Sequence, residues 1–343
     1  MVLLTFKPNQ VTKNLVSVLK DRNRDIIMQR YGLFDGTEKR KTLEAIGDKY
    51  GITRERVRQI ENYSLDAIKK SESFKLCQKC FSEIKDIFMK KGIIVSEQDI
   101  LDYLSENPAW RNHIHFLLVL GDDFVKLKED DYFNHRWTID TDYSENVHNA
   151  LKKLHSSIKN DDLISKDEIT SYLRKHSQDV VGEKIDDNTL YLWLKLSKIV
   201  SSNPLGEWGL SSSPSIKPRG IRDLIFLTLR NEGSPLHFTE VSKKIIDYFK
   251  KAAHPATVHN ELIKDKRFVL VGRGLYALSD WGYRPGVVKD VIRDIIKAQG
   301  PLSKDEIIKA VLKERHVKEN TIMVNLQNNK LFKRNKEGKY VIV

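Results

Sequence analysis

Between Ile52 and Asn62 the chain reads ITRERVRQIEN, with arginine, glutamate, glutamine and asparagine crowded together. These side chains end in planar, multidentate groups. Arginine can fork onto O6 and N7 of guanine, glutamate can accept from N4 of cytosine, and glutamine or asparagine can bracket adenine. The chemistry on offer is hydrogen bonding to base edges, with Arg56 at the margin where a phosphate would lie. At about 100° per residue, Val57, Ile60, Ser64 and Ile68 fall within about 80° of one another, while Arg54, Glu55, Arg58, Gln59 and Asn62 fall within about 140° on the opposite flank. The apolar stripe would hold the helix on its domain and the polar flank would meet a partner. The competing account is a solvated helix with incidental charge pairs.

The punctuation around this helix favours the first account. Thr42 can cap a helix running to about Tyr50, Gly51 supplies a left-handed turn, and Thr53 can cap the next helix to about Ile68. Gly47 sits where the two helices must cross closely. This is the plan of a helix-turn-helix, in which residues near the start of the second helix enter the major groove.

The same residues carry a resemblance. RNRDIIMQRYGL at 22–33 and KTLEAIGDKYGITRERVRQIENYSLDAIKK at 41–70 resemble region 4 of bacterial sigma-70-type transcription initiation factors. The resemblance implies that the helix reads a −35 promoter element and that the domain rests on the flap of the RNA polymerase β subunit, with the 22–33 helix facing the polymerase. Carried over by motif, Arg54, Glu55 and Gln59 would contact bases. Arg56 and Arg58 would contact phosphates, with Thr42 and Thr53 helping at the helix starts. A complete sigma factor also has an upstream region that opens promoters; with so little chain before the motif, this protein is not expected to act as one.

Charge supports a polyanionic partner. The chain of 343 residues has a net charge of +12, which favours nucleic acid first. The excess is uneven: residues 1–75 hold 16 basic and 10 acidic side chains, 76–215 hold 17 and 23, and 216–343 hold 26 and 14. DNA would prefer the ends, leaving the middle as spacer or protein contact. The chain has no apolar run of about 18 residues, so no membrane span is expected. No signal peptide is legible at the N-terminus, and two cysteines do not make a disulfide framework; the cytoplasm is the expected compartment.

Four segments further on read alike: VSEQDILDYL, ISKDEITSYL, HFTEVSKKII and LSKDEIIKAV. Aligned on Ile100, Ile169, Val241 and Ile307 they recur at 69, 72 and 66 residues. Each offers a Ser or Thr cap followed by an amphipathic pattern. An amphipathic helix precedes each, and a third helical stretch and two short β-like pieces follow. Three helices and a hairpin make a winged helix, and a period near 70 residues suits separate small domains better than a solenoid. The expected fold is mainly α: a sigma region 4-like helix-turn-helix at 1–73, then tandem winged helices with short β-hairpin wings at 74–142, 143–214, 215–284 and 285–343. The first two winged units are acidic and the last is basic.

PLHFTEVSKKI, AHPATVHNELIKD and FVLVGRGLYALSDWGY, within about 217–284, resemble the HARE-HTH domain, as in the delta subunit of bacterial RNA polymerase. That resemblance implies DNA or polymerase association. Its outward residues would include Thr257, Asn260, Lys264 and Lys266, with Arg273 in the wing, and Lys or Arg there would neutralise phosphates. Lys318, Asn325, Asn328, Lys330, Lys333, Arg334 and Lys336 add basic and polar surface at the tail.

Other chemistry is not credited. Cys77 and Cys80 form a single C-x-x-C where zinc needs four ligands. His113 and His115 lie beside Phe116 and Leu117, which reads as packing. No phosphate-binding glycine loop occurs, and the E-x-K at Glu337–Lys339 lacks a preceding acidic strand residue. No cofactor, metal or enzymatic activity is expected. The expected function is sequence-specific DNA binding in transcription regulation, in partnership with bacterial RNA polymerase. The alternatives are a polymerase-binding protein that competes with sigma factor, and the DNA-recognition arm of a defence system.

Overall fold

Four helices open the chain: α1 (Pro8–Val16), α2 (Asp21–Tyr31), α3 (Leu43–Tyr50) and α4 (Arg54–Lys69). The computed structural model from which they are drawn describes residues 4–34, 39–105, 107–178, 185–283, 286–315 and 317–343. Each boundary around α3 and α4 has a local cause. Thr42 Oγ1 accepts from the Ala45 amide at 3.1 Å, and Thr53 Oγ1 accepts from the Arg56 amide at 3.2 Å. Gly51 ends α3 at φ +62°, a conformation that strains a residue bearing a Cβ. Gly47 lies inside α3 where the chain returns over it: a Cβ there would stand 2.6 Å from the Ile52 carbonyl oxygen. Ile26, Ile46 and Val57, one from each of α2, α3 and α4, close a small core between the three helices.

The chain continues with α5 (Glu72–Leu76), α6 (Gln78–Lys90), β1 (Ile94–Ser96), α7 (Glu97–Leu104), α8 (Pro108–Leu120), β2 (Val125–Leu127) and β3 (Arg136–Thr138). The three strands form an antiparallel sheet in the order β1-β3-β2. One apolar core runs through all of this and back into the opening helices. It joins Leu15, Ile27, Tyr31 and Ile68 to Phe81, Phe88, Phe116, Leu117 and Trp137. Helix α8 is its axis, buried along His113–Leu118 and at Leu120. His113 and His115 are packing residues, as their apolar neighbours imply; Thr12 Oγ1 lies 2.6 Å from His113 Nδ1.

Next come α9 (Thr141–Ser157), α10 (Lys166–His176) and α11 (Asp187–Leu194). The loop before β3 locks onto them. Asn134 donates its amide to the Leu196 carbonyl at 2.9 Å, and Lys198 donates to that of Tyr132 at 2.7 Å. Trp193 Nε1 donates to the Gly92 carbonyl at 3.1 Å. Arg136, buried, donates from Nε to His148 Nε2 at 2.8 Å and from Nη2 to Asp130 at 3.0 Å.

The chain divides into two compact units, Met1–Ser201 and Ser202–Val343. Strands β4 (Val200–Ser202) and β5 (Trp208–Leu210) lie where one gives way to the next. The second unit holds α12 (Ile221–Glu232), β6 (Leu236–His237), α13 (Phe238–Phe249), α14 (Pro255–Lys264), β7 (Phe268–Gly272) and β8 (Leu275–Leu278), with a sheet in the order β6-β8-β7. It ends with α15 (Val288–Gln299), α16 (Lys304–Glu314), α17 (Glu319–Leu326) and the antiparallel pair β9 (Phe332–Arg334) and β10 (Tyr340–Ile342). Each group has its own core: Leu224, Ile225, Val241, Ile245, Val258 and Leu262 in the first, Ile292, Ile295, Ile307, Val311, Ile322 and Phe332 in the second. The expected boundary at 284–285 lies outside the described residues.

The chain among these residues is mainly helical with small antiparallel sheets. Ser96, Ser165 and Ser303 cap α7, α10 and α16 as the repeat implies. Thr239 does not cap α13. His237 does, its Nδ1 accepting from the Thr239 amide, because β6 pairs with β8 up to His237 and the helix begins directly after it.

Gly47→Ala is expected to destabilise the protein by about 1–3 kcal/mol, the range for forced overpacking. A urea titration reads this as a lower midpoint at unchanged slope; an unshifted midpoint would mean that the close crossing is not rigid. Acid should also weaken the fold. Burial first, and then the Arg136 charge, push His148 down from 6.5 to about 4, and burial lowers His115 as well. Between those pH values the unfolded chain binds protons that the folded chain refuses, so stability falls as pH drops from about 6.5 toward 4. Tm measured across that window should decline, and His148→Gln should flatten part of the decline.

Candidate nucleic-acid interface

Helix α4 does two jobs along one axis. Inward it sets Val57, Ser64 and Ile68, all buried, with Ile60 half-buried. Ser64 enters the stripe by donating its hydroxyl to the Ile60 carbonyl at 2.7 Å, which removes the cost of burying an unpaired polar group. Outward it sets Arg54, Glu55, Arg56, Arg58, Gln59 and Asn62, every one exposed. Thr42 and Thr53, at the starts of α3 and α4, are exposed on their caps. All seven residues that this domain was expected to set against DNA are thus on its exposed surface.

Within that surface the side chains are already partnered. Arg58 donates from Nε and Nη2 to the two carboxylate oxygens of Glu55, at 2.8 and 2.6 Å. The hydrogen bonds from Arg58 hold the Glu55 carboxyl below its ordinary pKa, so it is an acceptor at neutral pH. Arg56 Nη1 donates to Gln59 Oε1 at 3.1 Å. Arg54 and Arg56 stand at the N-terminal end of α4, where the helix dipole adds positive potential.

Three further residues belong to the surface and were not expected from the sequence. Arg22 and Asn23, from the first turn of α2, face Arg56, Gln59 and Tyr63 across a groove of about 440 Å³ floored by Ile52 and Ile60. Tyr63 is 68% exposed, too open for a core aromatic. Its offsets from Gln59 and Arg56, four and seven residues, were the available signal.

Glu61 was also missed, for the opposite reason. It lies inside, 8% exposed. Tyr31 donates its hydroxyl to Glu61 Oε1 at 2.8 Å, and Arg30 donates from Nε at 3.2 Å. Burial together with the Glu61 carboxylate raises the Tyr31 pKa, which keeps the hydroxyl a donor. A buried carboxylate is tolerable only when paired in this way. The network ties α4 to α2 one turn beyond the reading surface. Beside it, Lys49 and Gln29 reach Asp25 Oδ2 at 3.2 and 2.7 Å, and Tyr50 also donates to it.

In the second unit, Thr257, Asn260 and Lys264 lie exposed on α14, Lys266 in the turn after it and Arg273 in the turn between β7 and β8. Cys77 and Cys80 are half-buried free thiols. Burial pushes both up, Cys80 to about 11, so they stay protonated at neutral pH. Among the described residues, no group of three or more His, Cys, Asp or Glu could hold a metal, and no helix is long and apolar enough to cross a membrane.

Residues 15–70, which contain the whole reading surface, match the family model for sigma-70, region 4. RNA polymerase principal sigma factor HrdD of Streptomyces griseus is 41% identical over 68 residues, 20% of this chain and 20% of that protein. RNA polymerase sigma factor SigA1 of Synechococcus elongatus is 46% identical over 65 residues, 17% and 16% of the two chains. RNA polymerase sigma factor SigA of Microcystis aeruginosa is 49% identical over 53 residues, 16% and 12%. The chain thus spans about a fifth or less of the length of these curated relatives, and the shared stretch is the one that builds α2, α3 and α4: a segment similar to sigma-70 region 4.

Proposed function

We propose that this protein is a sequence-specific DNA-binding transcription regulator that reads a −35-like element through α4. The observation that carries the reading is the exposed Arg54–Glu55–Gln59 edge on a capped helix whose other side is anchored in two cores. Such a helix covers about 4–6 base pairs in the major groove. Arg54, Glu55 and Gln59 meet base edges, while Arg56 and Arg58 meet phosphates once DNA displaces their present partners. The similarity of residues 15–70 to sigma-70 region 4 supports this role. The reading involves binding alone, with no catalytic step, and it places the protein in the cytoplasm with its template.

The four groups of three helices and a hairpin are read as tandem winged helices, and residues 217–283 as a HARE-HTH domain that adds DNA or polymerase contact through Thr257, Asn260, Lys264, Lys266 and Arg273. Association with RNA polymerase through its β flap belongs to the same reading. A second reading, a polymerase-binding competitor of sigma factor, is favoured by the acidic middle of the chain, where residues 76–215 hold 23 acidic against 17 basic side chains.

One variant separates the two. In Arg54→Ala with Gln59→Ala, each lost base contact removes about 1–3 kcal/mol of discrimination, so preference for a −35-like duplex over a scrambled one should vanish in fluorescence anisotropy. Preference retained in the double variant would defeat the DNA-reading account. Pull-down of purified RNA polymerase that survives the double variant is what the competitor reading expects.

A further inference from the structure

Each of the four helix-helix-helix-hairpin groups has a third helix where a DNA-reading helix could sit. Their outer faces differ. Helix α8 is buried over its second half, at His113–Leu118 and Leu120, and α11 buries Leu190, Trp193 and Leu194 while Trp193 bonds to Gly92. Helix α17 is held from one side only, by buried Ile322 and Leu326. Its other side exposes Asn320, Thr321 and Val324, with Val324 67% exposed. Thr321 and Val324 stand one and four residues from Asn320, on a single helical face. Their chemistry is that of a duplex reader: asparagine can bracket adenine, and threonine and valine methyls can meet the thymine methyl.

The hairpin that follows α17 is strongly basic. Lys330 precedes β9, Lys333 and Arg334 lie in it, and Lys336 is in the turn, all exposed, against a single acidic residue, Glu337. The turn is rigid: Asn335 Oδ1 accepts from the amides of Glu337 and Lys339 at 3.1 and 2.9 Å, and Gly338 takes φ +75°. The corresponding turn between β7 and β8, beside α14, carries Arg273 alone.

We propose that α17 and the β9–β10 hairpin form a second duplex-DNA surface, separate from α4, with the Asn320–Val324 face toward base edges and Lys330, Lys333 and Lys336 on phosphates. It does not rest on the reading of α4, and it gives the chain two duplex sites.

The full-length chain is titrated with a short scrambled duplex of about one and a half turns and with a −35-like duplex of the same length. Three proteins are compared: wild type, Lys330→Ala/Lys333→Ala/Lys336→Ala, and that triple variant combined with Arg54→Ala and Gln59→Ala. The lysines are exposed, so the triple variant should keep the wild-type Tm. Wild type should bind two short duplexes per chain at low salt and the triple variant one. The triple variant should lose about 2.7 from the salt slope on scrambled duplex, about 0.9 for each phosphate contact, while its preference for the −35-like duplex stays. The combined variant should bind neither. Val324→Asp should reproduce the drop to one duplex. An unchanged stoichiometry and salt slope in the triple variant overturn the proposal even where the α4 reading stands. So does unchanged duplex binding coupled to lost polymerase pull-down, which would make this face a protein contact.

Discussion

Helix α4 is fastened at two points by two different cores, and the reading surface depends on both. Val57 belongs to the small core with Ile26 and Ile46, and Ile68 belongs to the large core that runs to Trp137. Between the two anchors lies Glu61, hydrogen-bonded to Tyr31 and Arg30. A helix of this length is marginal by itself in water. It becomes a rigid platform because its inner stripe has no second place to go. Rigidity matters at this site, since a base-reading edge that must first be ordered spends part of its binding energy on the ordering.

The division of charge along the chain follows from the same packing. The acidic stretch after the opening domain includes α8, whose second half is buried in the core that also grips α1, α2 and α4. A helix used in this way keeps only its first turns open, and acidic side chains around it repel phosphate. The basic excess lies where helices keep an outer face, at α4 near one end and at α14 and α17 near the other. For the proposed duplex partner, repulsion from the middle and attraction at the ends favour the parts that keep an open face.

Local chemistry was legible in the sequence and distant packing was not. Thr42, Thr53, Gly51 and Gly47 announce the helix-turn-helix because each acts on its immediate neighbours. The Ser caps of the repeat announce α7, α10 and α16 for the same reason. Glu61 looked like one more surface carboxylate. Its burial is fixed by Tyr31 and Arg30, 30 and 31 residues away, which no local pattern records. Thr12 and His113 meet across 101 residues, one of the contacts that join α1 to α8. Arg22 and Asn23 were assigned with the 22–33 helix to the polymerase side, although α2 sets their turn beside Arg56. His237 took the cap expected of Thr239 because a strand pairing up to His237 fixed the point at which the helix could begin.

The partnered state of the reading surface raises the question of whether it is locked. Glu55 and Arg58 hold each other in a two-bonded pair, and Arg56 holds Gln59. Both pairs are fully in water, where exposed ion pairs are weak and further screened by salt. Under the proposed DNA-reading role, a duplex offers each member a better partner: phosphate for the arginines, cytosine N4 for Glu55 and adenine for Gln59. Exchanging the intrahelical bonds for those to DNA conserves their number while the duplex excludes water from around them, which strengthens each one. The pairs therefore act as rotamer guides. They keep long side chains standing along the helix in the free protein and, in the proposed role, give way to the groove. The buried Glu61 carboxylate stays with Tyr31 and Arg30 throughout, so the platform does not move while its outer surface changes partners.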